Sequence, residues 1–377
     1  MNPINLTITE YILVSLLFFT WLQQMLFLII RVRPLAFFKA KSPEKEITAA
    51  TSVIICAKNE AENLKKFLPG ILTQNYPDYK VIVVNDCSED DTEMVLATLK
   101  TKYTNLYYTN IPLDRKFSHG KKLALTIGIK AATSKYLVLT DADCRVTGPN
   151  WLREIMQGFG HPGTELVLGF SPYEKSKGFT NLLTRYDTFY TAIQYLGFAL
   201  SGKPYMGVGR NLAYKKELFI KNKGLQSHLH IASGDDDLFV RDTATKNNTT
   251  VVINYDAQTI SIPPTSLRQW KEQKSRHLTT SGQYKNNIKW RLAMEPVCRL
   301  FFWGISIGLI IFNTFVWIAA GAILIKTGTQ LFLWGRVSRQ LNQPKINRAV
   351  ILFEWLHPLI LLWALTGNSR RNKKRWK

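Results

Sequence analysis

Two carboxylates, Asp141 and Asp143, flank a single alanine at the end of YLVLTDADCR, residues 136–145. Hard oxygen donors at that spacing suit Mg2+ or Mn2+, ions that take one or two carboxylates plus substrate phosphates in preference to a closed protein cage. The same Asp-x-Asp also suits a turn, whose backbone short acidic side chains cap. A second acidic group, Asp235, Asp236 and Asp237, stands in IASGDDDLFVR ahead of an apolar helical start. Three adjacent carboxylates raise one another's pKa unless a cation or solvent intervenes. That suits a general base able to take a hydroxyl proton. The alternative is a helix N-terminus, whose dipole welcomes acids. Gly120 and Lys121 open a third candidate, either a phosphate-attracting helix start or a solvated basic one. The glycines of GVGRN, residues 207–211, let backbone approach a ligand closely, although a plain turn needs glycine too.

These residues need elements to position them. Residues 136–140 form an apolar, β-branched run with the length of a buried parallel strand. From residue 51 the pattern alternates: SVIICA, KVIVVND and NLYYTNI read as strands, whereas ENLKKFLPGIL, DTEMVLATLK and GKKLALTIGIKAA read as helices. Strands alternating with helices predict an α/β fold with a mostly parallel sheet covered on both faces. Asp86 and Asp141 then fall together at the carboxyl ends of strands, on the rim where such sheets bind ligands. Residues 178–200 read as one long helix. His228 and His230 alternate on an expected strand and share a face, as a further metal ligand or as satisfied core residues. Cys56, Cys87 and Cys144 lie at strand ends; they read as small buried thiols, with a zinc site as the less favoured alternative because their spacing matches no zinc motif.

The chain's 377 residues carry a net charge of +22, which calls for an anionic partner. Basic residues crowd beside apolar runs (Arg31, Arg33, Lys39, Lys41) and at residues 370–377, the juxtamembrane pattern expected on a cytoplasmic face. With no zinc-finger spacing and no ribonucleoprotein-type aromatic motif, nucleic acid is excluded as the partner. Four cysteines without paired spacing fit a reducing compartment.

Residues 8–30 are apolar, uncharged after Glu10, and long enough to cross a hydrocarbon core of about 20 residues. Basic residues follow rather than precede this run, so it reads as a signal anchor with its C-terminal end in the cytoplasm. Residues 42–50 form a polar linker. Residues 283–299 have the basic, aromatic look of an interfacial helix. Residues 300–334 read as a hairpin turning near Asn313, because a single crossing would strand Arg336, Arg339, Lys345 and Arg348 outside. Residues 349–365, interrupted by Glu354, His357 and Pro358, are re-entrant, interfacial or spanning. Three segments result: an anchor and basic linker (1–46), a cytoplasmic domain (47–282) and a membrane-associated C-terminal region (283–377).

The motifs CAKNE, VVND, GKK, DAD, GVGRN, GDDD and QKSRH, in that order over residues 52–277, resemble the inverting family 2 glycosyltransferases of GT-A fold. The likeness is greatest to the membrane-bound branch related to cellulose, chitin and hyaluronan synthases. The resemblance implies a nucleotide-sugar donor, with Ala57, Glu60, Asp86, Lys121, Asp141 and Arg276 around it. Asp86 would accept a hydrogen bond from uracil, favouring a UDP-sugar, though it could instead cap the following helix; Glu60 could be simple first-turn charge. The resemblance implies Mg2+ or Mn2+ on Asp141 and Asp143, and a base at Asp236, with Asp235 its rival because Asp237 permits a one-residue shift. Arg276 would neutralise the leaving diphosphate, although RQWKEQKSRH also suits a basic interfacial helix. Gly209, Arg210, Asn211, Gln273 and His277 would face the acceptor.

One departure stands out. His277 replaces the tryptophan that ends the Gln-x-x-Arg-Trp signature, which puts acceptor stacking and long-chain processivity in doubt; Trp270 could substitute. The expectation is therefore a membrane-anchored hexosyltransferase-type enzyme at the plasma (inner) membrane. It would act on a lipid-linked or glycan acceptor, with an oligomer or envelope-assembly partner allowed. A sugar-nucleotide-binding pseudoenzyme, or a basic membrane scaffold within a polysaccharide assembly complex, is the alternative.

Overall fold

The computed structural model describes residues 7–40, 42–113, 120–229, 231 and 233–366. His230 and the basic residues 370–377 lie outside the described residues. The chain divides into two compact units, one of residues 39–284 with 366–377, the other of residues 1–38 with 285–365.

The first unit is built on a seven-stranded sheet among the described residues, ordered β3-β2-β1-β4-β7-β6-β8. Strands β1 (Thr51–Ala57), β2 (Tyr79–Asp86), β3 (Leu106–Ile111) and β4 (Tyr136–Asp141) run parallel, as the alternating pattern predicts. β1 is buried along its whole length and β4 nearly so, which is why both read as unbroken apolar runs. The other half of the sheet departs from parallel. β7 (Leu212–Lys215) pairs antiparallel with β4 and with β6 (Leu166–Leu168), and β6 pairs parallel with β8 (Thr249–Val251). A separate two-stranded ribbon joins β5 (Cys144–Val146) to β9 (Thr259–Ser261), directly after the Asp-x-Asp.

Helices α3 (Ala61–Leu72), α4 (Thr92–Lys102) and α5 (Lys121–Ala131) follow the first three strands. α5 lies close on the sheet because Gly128 leaves room: a Cβ there would stand 2.8 Å from Ile54 and 3.2 Å from Val84. One face of the sheet packs Val53, Ile55, Val81, Val83 and Val138 against Leu64, Leu68, Leu96, Trp151 and Leu152. Trp151 and Leu152 belong to α6 (Trp151–Met156), and the expected long helix is α7 (Phe179–Leu200). α8 (Lys216–Lys221), α9 (Asp237–Thr243) and α10 (Leu267–Ser281) complete the unit. His228 ends a short 3-10 turn, Gln226–His228, and is not on a strand, which corrects the sequence expectation. Its ring is buried against Asp242 at 2.7 Å, a satisfied core group.

The second unit is helical. α1 (Ile8–Phe27) opens on a capping box between Thr7 and Glu10 and continues through a π turn, Leu28–Val32, into α2 (Arg33–Ala36). α11 (Asn286–Ile311) is one continuous helix despite Pro296, so the expected interfacial segment and the apolar run are a single element. It turns through Asn313 and Phe315, both in the left-handed region, into α12 (Val316–Gln340). The hairpin near Asn313 is therefore present. α13 (Ala349–Leu365) keeps Pro358 within it. Among the described residues, four helices are long and apolar enough to cross a membrane: Ile8–Ala36, Asn286–Ile311, Val316–Gln340 and Ile346–Leu365. Inside this unit the Glu354 carboxylate accepts from Lys326, from Gln330 at 2.7 Å and from Trp303 at 3.4 Å.

Candidate active site

Asp86 and Asp141 end neighbouring parallel strands on either side of β1, and Ala57 ends β1 between them. Glu60 follows at the start of α3, where its carboxylate accepts from Asn63 at 2.5 Å. Asp90, just before α4, has both carboxylate oxygens engaged. One Asp90 oxygen accepts from the Thr92 backbone at 3.1 Å and its hydroxyl at 2.5 Å, and the other accepts from the Ala61 N–H at 3.1 Å. Asp86, fully buried, stays at the strand end.

Lys121 links the two acidic groups. Its ammonium lies 2.9 Å from Asp141 and 3.2 Å from Asp235. Burial alone would lower its pKa, but Asp141, Asp235 and Asp236 outweigh burial and hold the ammonium well above the ordinary lysine value. The helix start that reads as a phosphate-attracting terminus thus carries a fixed positive charge between the rim of the sheet and the acidic run.

The three adjacent aspartates have different surroundings. Asp237 is buried; one oxygen accepts from the Thr280 hydroxyl at 2.5 Å and the Tyr284 hydroxyl at 2.8 Å, the other from the Leu238 N–H at 2.8 Å. Asp236 is the N-cap of α9. Its Oδ1 accepts from the Asp237 N–H at 2.8 Å and its Oδ2 from the Gly209 N–H at 2.6 Å. Burial, with Asp235 and Asp237 beside it, pushes the Asp236 carboxyl up to about 7, against the opposing pull of Lys121 and the Gly209 N–H. A carboxylate poised near neutrality is suited to accept a proton at physiological pH. Asp236 thus caps a helix while its carboxyl is held above the ordinary carboxylate range.

Of the GVGRN residues, Gly209 supplies its N–H to Asp236. Asn211 is fully buried: its oxygen accepts from Trp151 at 3.1 Å, and its nitrogen donates to the carbonyls of Phe170 at 2.9 Å and Ala257 at 2.8 Å. With both amide protons committed, it has no donor free for an acceptor, contrary to the sequence expectation. Arg210 lays its guanidinium over the Tyr173 ring at 4.3 Å, and its Nη1 has no hydrogen-bond partner among the described residues. Tyr173 and this stacking left no signal in the sequence.

α10 carries Gln273, Arg276 and His277. It is anchored by a buried ion pair from Lys274 to Asp187 on α7, at 2.7 Å. Gln273 hydrogen-bonds the Tyr173 hydroxyl, and the Arg276 guanidinium makes no ion pair among the described residues. Trp270 points inward and is 2 % exposed, so it presents no face to an acceptor and does not replace the tryptophan missing at 277. His277 itself is exposed, next to Arg276 on α10.

Asp141 and Asp143 fit a divalent cation in donor type. Both are partly exposed carboxylates at the end of β4, and a cation, the Lys121 ammonium, is already drawn onto Asp141. Among the described residues no three His, Cys, Asp or Glu side chains gather into a group that could hold a metal ion by themselves. Burial raises the Cys56 and Cys144 thiols, so they stay protonated. An open pair of carboxylates completed by substrate oxygens is the arrangement Mg2+ favours.

Residues 52–222 match the model of Glycosyl transferase family 2. Glycosyltransferase AglE of Haloferax volcanii is 33 % identical over 140 residues, 37 % of this chain and 44 % of that protein. Poly-beta-1,6-N-acetyl-D-glucosamine synthase of Staphylococcus epidermidis is 29 % identical over 103 residues, 27 % of this chain and 24 % of that one. The chain spans less than half the length of either of these curated relatives. A solved structure, mannosyltransferase PcManGT of Pyrobaculum calidifontis in complex with GDP-Man and Mn2+, has the same fold. It superposes with a TM-score of 0.58 at 17 % identity, over 91 % of this chain and 98 % of that one.

Proposed function

We propose that this chain, which carries a family 2 glycosyltransferase domain of GT-A-like fold, is a membrane-anchored inverting glycosyltransferase. The observation that carries the reading is the Lys121 ammonium, shared between Asp141 at the strand-end rim and Asp235 in the acidic run. It brings the place for a nucleotide diphosphate and the place for a base to one point.

The donor is a nucleotide sugar, with a UDP-sugar favoured by Asp86 at the base-binding end of the rim. Ala57 and Glu60 line the nucleotide side, and Lys121 and Arg276 face the diphosphate. Asp141 and Asp143 would hold Mg2+ or Mn2+, which when bound supplies positive charge to the diphosphate. Asp236 takes the proton from an acceptor hydroxyl. The acceptor oxygen forms a bond to the anomeric carbon as the bond to the diphosphate oxygen breaks, and the nucleoside diphosphate leaves with the electron pair. A single displacement inverts the anomeric configuration. Gly209 holds Asp236, while Arg210, Gln273 and His277 face the acceptor; Asn211 supports that wall from beneath.

A catalytic domain held at the bilayer on the cytoplasmic side of the inner membrane suits a lipid-linked or growing glycan acceptor, with an oligomer or envelope-assembly partner compatible with it. α13 lies within Ile346–Leu365, a 20-residue helical stretch long and apolar enough to cross a membrane.

The test is a panel of UDP-, GDP- and TDP-sugars with detergent-purified protein, Mn2+ or Mg2+ against EDTA, and wild type against Asp236→Asn. Metal-dependent release of one nucleoside diphosphate, lost in the variant, is the expected result. No turnover and no binding of any donor would overturn the reading.

A further inference from the structure

The two lysines that open α5 face different ways. Lys121 meets the carboxylates, whereas Lys122 is buried and donates to the carbonyls of His228 at 2.5 Å and Ile231 at 2.8 Å. Lysine is almost never fully buried without an acidic partner, because its ammonium is strongly hydrated in water. Here it is used on two backbone oxygens of a single short segment. That segment runs directly into Asp235, Asp236 and Asp237.

Other ties act on the same stretch. The Ser233 hydroxyl donates to the Arg276 carbonyl of α10 at 3.3 Å. The His228 ring is held by Asp242 of α9 at 2.7 Å, with Arg241 beside both. Downstream, Asp237 is locked by Thr280 and Tyr284. α5 is the one element here that also reaches the rim, through Lys121 and Asp141. The only direct link from that helix to the segment's backbone, among the described residues, is the Lys122 ammonium.

We propose that Lys122 is a positioning residue that fixes the segment before Asp236 to the donor-side helix α5, setting the base at its working distance from the bound donor. This rests on the reading of Asp236 as the general base. Lys122 acts through the backbone carbonyls of His228 and Ile231. It also lies within electrostatic range of Asp235, Asp236 and Asp237, which counter the effect of burial on it. The groups facing Asp236 are Asp235 and Asp237 from its own run, Lys121 and Lys122 from α5, the Gly209 N–H, and Tyr214 from β7.

The experiment compares wild type, Lys122→Met and Lys122→Arg as full-length protein in detergent. It reads metal-dependent release of nucleoside diphosphate against pH, UDP binding by calorimetry, and backbone hydrogen exchange across residues 226–237. For Lys122→Met we expect kcat to fall at least about tenfold, since an ångström of misplacement costs on the order of 100-fold, with UDP affinity within twofold of wild type. Exchange across the segment should quicken. The acidic limb should move to higher pH, because losing a nearby cation lets Asp236 hold its proton longer. Lys122→Arg should recover part of kcat and of the pH profile. Wild-type kcat and pH profile in Lys122→Met would overturn the proposal, and so would a loss of UDP affinity in step with a general loss of protection, which marks a purely structural tie. A wild type that releases no diphosphate from any sugar nucleotide is a different failure, that of the transferase reading itself.

Discussion

The backbone N–H of Gly209 donates to Oδ2 of Asp236 at 2.6 Å, so the carboxylate assigned as base is held by a peptide group from a separate loop. A Cβ at position 209 would stand 3.2 Å from that same oxygen, tighter than ordinary contact. Gly209→Ala should therefore push Asp236 by a few tenths of an ångström and lower kcat by about tenfold, within the range that misplaced catalytic groups cost. Donor binding and melting temperature should change little. Steady-state kinetics beside UDP calorimetry checks this, and wild-type kcat would count against the assignment.

The pH dependence follows from the raised value of Asp236. A base must be unprotonated to act, so kcat/KM should fall about tenfold per pH unit below a midpoint near 7. Asp236→Asn should abolish turnover at every pH. Stability should move the other way. A carboxyl whose folded value stands above its ordinary 3.8 favours the native state while protonated, and that advantage is lost as pH rises from about 4 through about 7. Asp236→Asn should thus melt higher than wild type at pH 8, and the gap should close below pH 4. Thermal melts across that range decide the sign.

Asp237 has a structural part to play. Its carboxylate collects the Thr280 and Tyr284 hydroxyls and the Leu238 N–H, all within a buried setting. Asp237→Ala strips these donors of their acceptor and should cost about 1–3 kcal/mol of stability in denaturant titrations. A loss of activity from Asp237→Ala with unchanged stability would reverse the roles given to Asp236 and Asp237.

The metal expectation is tested at Asp143. Asp143→Asn should lower metal-dependent donor turnover on the order of 100-fold or more, matching EDTA treatment of wild type. Titrating Mn2+ with UDP present, followed by the ion's paramagnetic resonance, should show weakened binding in the variant. Equal Mn2+ affinity in both proteins would remove Asp143 from the ligand set.

Within the helical unit, Lys326→Met leaves the Glu354 carboxylate buried with Gln330 and Trp303 but without its cation. Breaking one side of a buried pair costs about 3–5 kcal/mol, whereas replacing both sides with apolar groups is often neutral. The single variant should melt well below wild type in detergent, and the double variant Lys326→Met, Glu354→Leu should recover most of the loss. A double variant no better than the single one would refute a simple pair.

Sequence patterning, which is local, determined a good deal. Unbroken β-branched runs give β1, β2 and β4, and helical periodicity between them gives α3, α4 and α5. Parallel order then sends Asp86 and Asp141 to one rim, because every strand of such a unit ends on the same side. The apolar lengths likewise announced the long helices and the turn near Asn313. Tertiary structure decided what patterning has no means to carry: which of three adjacent aspartates is locked and which is tuned. Thr280 and Tyr284 satisfy Asp237, Gly209 reaches Asp236, and Lys121 takes Asp235, each from an element distant along the chain. Trp270 and Asn211 make the same point from the other side. Their types suit a binding surface, but the packing of α10 and the Trp151 contact turned both inward. The identity of a side chain sets what chemistry it is able to do; its partners in space, through burial and hydrogen bonding, set whether it is left able to do it.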